Sequence, residues 1–175
     1  MDDKRAMLLH FLAALAYRSQ KALSGAPPSF GDFEAGNQVR NPKWLVQHMD
    51  GVLGYALTCF AGEPESYRGA ALPTLDDEVL RFHGKLEALA SHLRAGTALR
   101  RVTPEQILQG PFSDAMTHAG QLAMLRRLAG SPVAPENFIV AEISPENLGP
   151  DQPPPKSPDA VWPERPQEDS NTKPR

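Results

Sequence analysis

The chain has 175 residues, of which 41% are hydrophobic and 22% are charged, and its formal net charge is −3. A chain of this length can bury the core of one domain. Its slightly acidic charge and scattered basic residues argue against a nucleic-acid partner. The single cysteine, Cys59, excludes an internal disulfide framework and is expected to be buried among apolar neighbours.

Nothing in the sequence predicts a membrane or secretory protein. No stretch reaches the roughly 18 apolar residues that a membrane-spanning helix needs. The first 20 residues are led by acidic side chains and carry no small-residue cleavage site, which is not the pattern of a signal peptide. We therefore expect a cytoplasmic protein without a membrane partner.

Apolar residues at helical spacing predict four long helices. The first covers about residues 3–23, and its apolar stripe consists of Met7, Leu8, Phe11, Leu12, Leu15 and Ala22. The second begins at Asn41 and Pro42, a suitable N-cap followed by proline at the first helical position, and Gly62 stops it.

The other two long helices are predicted between residues 75 and 130. The third covers residues 75 or 76 to 93, with Gly96 as its C-cap. A short helical turn over residues 103–110 follows, and the fourth long helix extends over residues 111–130.

The pattern as a whole predicts an all-α protein, and more narrowly a four-helix bundle. The one β-like run, residues 138–140, is too short to make a sheet alone. The connections over residues 24–40 and 61–74 are longer than the usual helix connection of about 2–8 residues. Connections of that length can cross the end of a bundle and line a site there. Their aromatic residues Phe30, Phe33 and Tyr67 are candidates for an apolar wall of such a site, or simply pin the connections in place.

The chain divides into three predicted parts. Residues 1–133 form the bundle, residues 134–149 form an extended strap on it, and residues 150–175 form a flexible tail. The tail holds eight of the 18 prolines and almost no large apolar residue except Trp162. Such a composition cannot bury enough surface to offset chain entropy, although Trp162 is available to dock on the bundle or on a partner.

Three of the five histidines are expected to have ordinary structural roles. His92 lies near a helix end and is predicted to be exposed. His10 and His83 are predicted to pack beside the apolar stripes of the first and third helices, and His83 is the better placed of the two as a spare ligand.

His48, Asp114 and His118 are the candidate site residues. Asp114 and His118 lie four residues apart, so they project from the same helix face at a spacing that can hold one metal ion. His48 points toward the core from an apolar stretch of the second helix. An inward carboxylate needs a cation, an imidazolium or several donors. A metal site is one interpretation, and a hydrogen bond between Asp114 and His118 on a wet helix face is the other.

Two segments resemble a known superfamily. The segment NPKWLVQHMDGVLGYAL, residues 41–57, resembles the second helix of DinB-like proteins, which are helical bundles related to a bacterial damage-inducible protein and to thiol-dependent transferases. The segment DAMTHAGQLAMLRRLAGSP, residues 114–132, resembles their last helix, where His-x-x-x-His-x-Gly-Gln is common. The resemblance covers most of residues 1–133.

The resemblance implies one divalent metal ion bound by His48 and His118. Asp114 stands where the family commonly has a histidine, and it would complete a set of two histidines and one carboxylate. Such a set admits zinc, nickel, iron or manganese and leaves coordination positions open. Gln121, the last residue of the His-x-Gly-Gln match, can orient a metal ligand without binding the ion itself.

The function implied by the resemblance is a metal-dependent enzyme acting on a small molecule whose identity the sequence does not provide. The reaction would be thiol-dependent transfer or hydrolysis, with the ion as a Lewis acid. The alternative is a non-catalytic helical dimerisation or binding module whose histidines are structural. Bundles of this kind often pair through helix faces, so a homodimer is expected.

Overall fold

The computed structural model describes residues 2–63, 67 and 69–166, and this part of the chain is all-α, as predicted. Its helices are α1 (Asp3–Leu23), α2 (Pro42–Thr58), α3 (Leu75–Ala95), α4 (Pro104–Ile107) and α5 (Ser113–Leu128). Short 3₁₀ turns cover Pro28–Asp32 and Phe138–Val140, so the run that looked β-like is helical. None of the helices in these residues is long and apolar enough to cross a membrane.

The helix ends follow from local capping. Asn41 accepts a hydrogen bond from the backbone N–H of Trp44 at the start of α2, and Thr74 forms a reciprocal capping box at the start of α3. Gly96 ends α3 with a left-handed φ of 70°, as predicted. The predicted end of α2 at Gly62 is wrong, because the chain turns after Thr58 to pair with the segment beyond α3.

The fourth long helix starts at Ser113 rather than at Pro111. Leu108–Phe112 forms a wide turn of the π type, in which Gly110 has non-helical angles of φ −89° and ψ −106°. Pro111 lacks the backbone N–H that a continuous helix needs, and the helical hydrogen-bond pattern is interrupted at this point. This break brings the start of α5 close to α2.

The long helices share one hydrophobic core, in which α1 and α2 each pack against both α3 and α5. Cys59 is buried, as predicted. Met7 was expected on the buried stripe of α1, and that prediction is wrong, because its side chain is 72% exposed. Leu8, Leu12 and Leu15 of the same predicted stripe are buried, as predicted, and form the core face of α1.

Contacts near the helix ends give the helix directions. Arg5, at the start of α1, donates to the carbonyl of Thr97 just beyond α3, and Gln20, near the end of α1, contacts His83 in the first half of α3. These contacts make α1 and α3 antiparallel.

The helices α2 and α3 run parallel to each other. Just beyond α2 the N–H of Ala61 donates to the carbonyl of Ala98 just beyond α3, at 2.9 Å. The connection between two parallel neighbours must return along the length of α2, which is about 25 Å for 17 residues. This requirement explains the long connection that the sequence contains before α3.

The segment after α5 is attached to the helical core by buried polar contacts. The hydroxyl of Tyr17 and the Nζ of Lys21 each lie 2.8 Å from a carboxylate oxygen of Glu136, whose side chain is fully buried. Further along, Leu148 is fully buried, and its carbonyl accepts a hydrogen bond from Nδ1 of His83 at 2.6 Å.

The described part of the predicted tail also contacts the helices. Trp162 is half-buried, and Arg127 of α5 lies 3.3 Å from Glu164. Residues 167–175, which belong to the same predicted tail, lie outside the described residues. The division at residues 133 and 149 and the flexibility of the tail stay predictions.

Replacing Glu136 with alanine should destabilise the fold by about 3 kcal/mol, because the change leaves the Tyr17 hydroxyl and the Lys21 ammonium without their carboxylate. Chemical denaturation monitored by circular dichroism measures this loss. The matched control is Glu142→Ala, which breaks an exposed ion pair with Lys156 and should change stability little. Equal effects of the two substitutions would contradict this account.

The buried His83 should make the protein sensitive to mild acid. Burial lowers its pKa below the usual value of 6.5, so the unfolded chain takes up the proton first. The stabilising contribution is therefore full above pH 6.5 and is lost as the pH falls, with a slope of at most about 1.4 kcal/mol per pH unit. In His83→Gln the fall in stability between pH 7.5 and 5.5 should be shallower than in the wild type. Identical slopes would show that His83 does not contribute.

Candidate metal centre

The three candidate residues come together in the structure. Nε2 of His118 lies 3.4 Å from one carboxylate oxygen of Asp114, and Nε2 of His48 lies 3.7 Å from the other. One donor atom from each residue lies within 4.8 Å of the other two. His48, which precedes Asp114 by 66 positions in the chain, therefore forms one cluster with Asp114 and His118 between α2 and α5.

The two helices that carry the three donor residues, α2 and α5, run in opposite directions. At the end of α5, Arg126 donates to the carbonyls of Ala22 and Ser24 at the end of α1, which makes α1 and α5 parallel. Because α1 opposes α3 and α3 parallels α2, the helices α2 and α5 are antiparallel. His48 is the seventh residue of α2 and His118 the sixth of α5, so both lie near the middle of the contact.

Burial falls across the cluster from one side to the other. The side chain of His118 is 9% exposed, that of His48 is 33% exposed and that of Asp114 is 49% exposed. The sequence placed Asp114 on the inner flank of its helix, whereas it lies at the solvent-facing rim. An ion held here would be anchored in the core through His118 and accessible from the rim.

His118 is oriented by Gln121, the residue that the sequence suggested for this task. Nδ1 of His118 lies 2.7 Å from Oε1 of Gln121, one turn further along α5. Because an amide oxygen only accepts, Nδ1 carries the proton. In the neutral ring, the Nε2 atom that faces Asp114 then presents a lone pair, as a metal ligand must.

His48 is also suited to bind as the neutral ring. Burial lowers its pKa, and the neighbouring His118 lowers it further, while Asp114 acts in the opposite direction. Its ring is stacked on the indole of Trp44, with centroids 5.3 Å apart, and meets His118 edge-on at 4.7 Å. At neutral pH the imidazole is therefore unprotonated and has a lone pair available.

The cluster borders an open cleft of about 940 Å³. Its walls come from α2, from the turn before α5 and from the connection before α3. Beside the cluster, the side chains that line the cleft include Trp44, Tyr55, Tyr67, Gln109 and Thr117. Sequence reasoning had considered Tyr67 as a wall residue but missed the others. The spacing of Trp44, His48, Gly51 and Tyr55 along one face of α2 was the signal that could have found them.

A buried charge cluster holds the connection that forms the outer wall. Arg81 of α3 lies 3.1 Å from Asp50 and donates to the carbonyl of Ala70, while Glu78 accepts from the N–H of Leu72. Asp50 and Glu78 are both buried, and the sequence analysis did not identify either of them.

Tyr67 packs against a glycine of α2. A Cβ atom at position 54 would lie 2.7 Å from Cδ2 of Tyr67, so only glycine allows this approach. The ring of Tyr67 also meets Tyr55 edge-on at 6.0 Å. These two tyrosines form an aromatic corner on the side of the cleft away from Trp44.

The remaining histidines lie away from the cluster. His83 is packed, as predicted, and bonded to the carbonyl of Leu148. The prediction that His92 is exposed is wrong, since it stacks on Phe60 and its Nε2 lies 3.0 Å from Glu63. His10 is exposed rather than packed.

The donor set fits a divalent transition metal. With metal–ligand bonds of about 2.0–2.1 Å, tetrahedral donors are separated by about 3.3 Å, close to the two measured distances from Asp114. Both distances exceed the hydrogen-bond range of about 2.7–3.2 Å. The contact between Asp114 and His118 has the length of an ion pair rather than of a short hydrogen bond, and both interpretations left open by the sequence stay predictions.

Comparison of the chain with protein-family models, with curated proteins and with solved structures gave no match in any of the three. The resemblance to DinB-like proteins therefore rests on the two helical segments quoted above.

The tautomer of His118 can be tested without any metal. In metal-free protein at pH 8, nitrogen-15 NMR should show the proton of His118 on Nδ1, because Gln121 accepts it. Gln121→Leu should shift the population toward the Nε2 tautomer, and Gln121→Glu should keep it on Nδ1. An Nε2-protonated ring in the wild-type protein would contradict the assignment.

Proposed function

We propose that this chain is a metal-dependent enzyme of the DinB-like type, a four-helix bundle that binds one divalent ion through His48, Asp114 and His118. The observation that carries the proposal is the convergence of the three donor atoms within 4.8 Å from two different helices. The pairwise packing of the four long helices around one core supports the bundle.

The protonation pattern of the cluster favours an ion over a purely structural role. The two histidine Nε2 atoms approach the carboxylate of Asp114 at 3.4 and 3.7 Å, which is longer than a short hydrogen bond. When the ring of His118 is neutral and its Nδ1–H is bonded to Gln121, two lone pairs face each other across the gap between His118 and Asp114. A cation between them removes this repulsion, and a divalent metal ion also satisfies His48.

The surroundings of the cluster suit a small-molecule substrate. A cleft of about 940 Å³ lies at the upper end of the range of roughly 300–1,000 Å³ that small-molecule sites occupy. When bound, the ion would supply Lewis acidity toward a substrate or a nucleophile at this surface. The hydroxyl of Thr117 donates to the carbonyl of Ser113, so it presents lone pairs to the cleft.

In this proposal, different residues bind the metal ion and the substrate. His48 and His118 provide neutral nitrogens, and Asp114 lowers the net charge of the centre at its exposed rim. Trp44 and the corner of Tyr55 and Tyr67 provide apolar surface for the body of a substrate. The reaction class, thiol-dependent transfer or hydrolysis, comes from the resemblance of the two helical segments.

The decisive experiment is metal analysis of protein purified without an affinity tag. Chelator-stripped protein is incubated separately with zinc, nickel, manganese and ferrous iron, gel-filtered and measured by elemental mass spectrometry. We expect about one ion per chain for at least one metal. His48→Ala and His118→Ala should each lose the ion, because the two donors that remain in either variant do not bind a metal ion tightly.

Matched variants separate site effects from general ones. His10→Ala removes an exposed histidine elsewhere and should keep the ion. Asp114→His restores the residue that DinB-like proteins commonly have there, and it should also bind. A wild-type stoichiometry near zero with all four metals would overturn the proposal and favour the non-catalytic module.

A further inference from the structure

The two histidines of the cluster are held by different means. The ring of His118 is held by the hydrogen bond to Gln121. Besides the contact of its Nε2 with Asp114, His48 has two aromatic contacts: Trp44 lies parallel to its ring, with an interplanar angle of 16°, and His118 meets it at 86°. The second torsion of a histidine side chain is broad, so a ring without such contacts samples a wide range of orientations.

Trp44 is well placed to restrict that torsion. It lies one turn before His48 on the same face of α2, and its centroid is 5.3 Å from that of the imidazole. The guanidinium of Arg40 covers the indole at 3.7 Å from its centroid, ahead of the N-cap of α2. Arg40, Trp44 and His48 therefore form a column that ends at the cluster.

The exposure of Trp44 indicates that the indole is not a core residue. Its side chain is 38% exposed, and its rings contact the imidazole and the guanidinium. A substitution at this position should consequently leave the hydrophobic core intact. Effects on the cluster can then be separated from effects on folding.

We propose that Trp44 is the positioning residue of His48, which sets the plane of the imidazole by stacking so that Nε2 faces Asp114 and His118. The part of this inference that concerns metal affinity rests on the proposed function, whereas the ring orientation does not. Groups that orient a ligand commonly affect metal affinity by 10- to 100-fold, and we expect Trp44 to act in that range.

The first arm of the test uses metal-free protein. The ring current of the indole should shift the carbon-bound imidazole protons of His48 upfield in the wild-type NMR spectrum. The shift should vanish in Trp44→Leu and be retained in part in Trp44→Phe, which preserves an aromatic face. A His48 spectrum that is the same in the wild type and in Trp44→Leu would overturn the inference, whether or not the protein binds metal.

The second arm measures affinity for zinc and cobalt by competition with a chelator. Trp44→Leu should bind about 10- to 100-fold more weakly, and Trp44→Phe should recover most of the affinity. Cobalt absorption in Trp44→Leu should report an altered ligand geometry. The matched control is Tyr55→Leu, which removes another exposed aromatic of α2 that lines the same cleft.

The outcomes distinguish this inference from the proposed function. A wild-type protein that binds neither ion counts against the metal site, and the ring-current arm then decides the role of Trp44. Metal binding with unchanged affinity in Trp44→Leu overturns the inference alone. Equal losses of metal affinity in Trp44→Leu and Tyr55→Leu would also overturn it, because the effect would then not be specific to the residue that stacks on His48. Equal losses in Trp44→Leu and Trp44→Phe would overturn it as well, because an aromatic ring at position 44 would then make no difference.

Discussion

The packing of α2 against both α3 and α5 is the constraint on which the rest of the structure depends. Contact with α5 brings His48 to Asp114 and His118, and contact with α3 makes two consecutive helices parallel. Parallel neighbours require a long return connection. That connection becomes the outer wall of the cleft, because Arg81 and Glu78 bind its backbone. The donor cluster and the cleft beside it thus follow from one helix position.

The cluster combines a rigid inner side with an accessible outer side. His118 is buried and bonded, which limits its motion, while Asp114 remains half exposed and so avoids most of the desolvation cost of a carboxylate. The cleft opens on this outer side. A fully buried set of the same residues would bind an ion without offering it to a substrate, whereas a fully exposed set would leave the ligands free to move.

Sequence reasoning predicted the parts of this arrangement that depend on near neighbours in the chain. The bounds of α1 and α3, the N-cap at Asn41 and the C-cap at Gly96 followed from residues within one turn. The spacing of Asp114 and His118 was equally local. Sequence reasoning wrongly predicted the exposure of Met7 and His92, because the face that a helix buries depends on which helices cover it.

By itself, the sequence determined the helices, the face shared by Asp114 and His118, and the contact of Gln121 with His118, since hydrogen bonds and side-chain pairs within a helix join residues three or four apart. Only the tertiary structure decided that His48 reaches this pair and that α2 opposes α5. It also placed Trp44 beside His48 with an outer face covered by Arg40. The physical reason is that helix direction and depth are set by packing a whole core, a sum over distant contacts that no short spacing in the chain records.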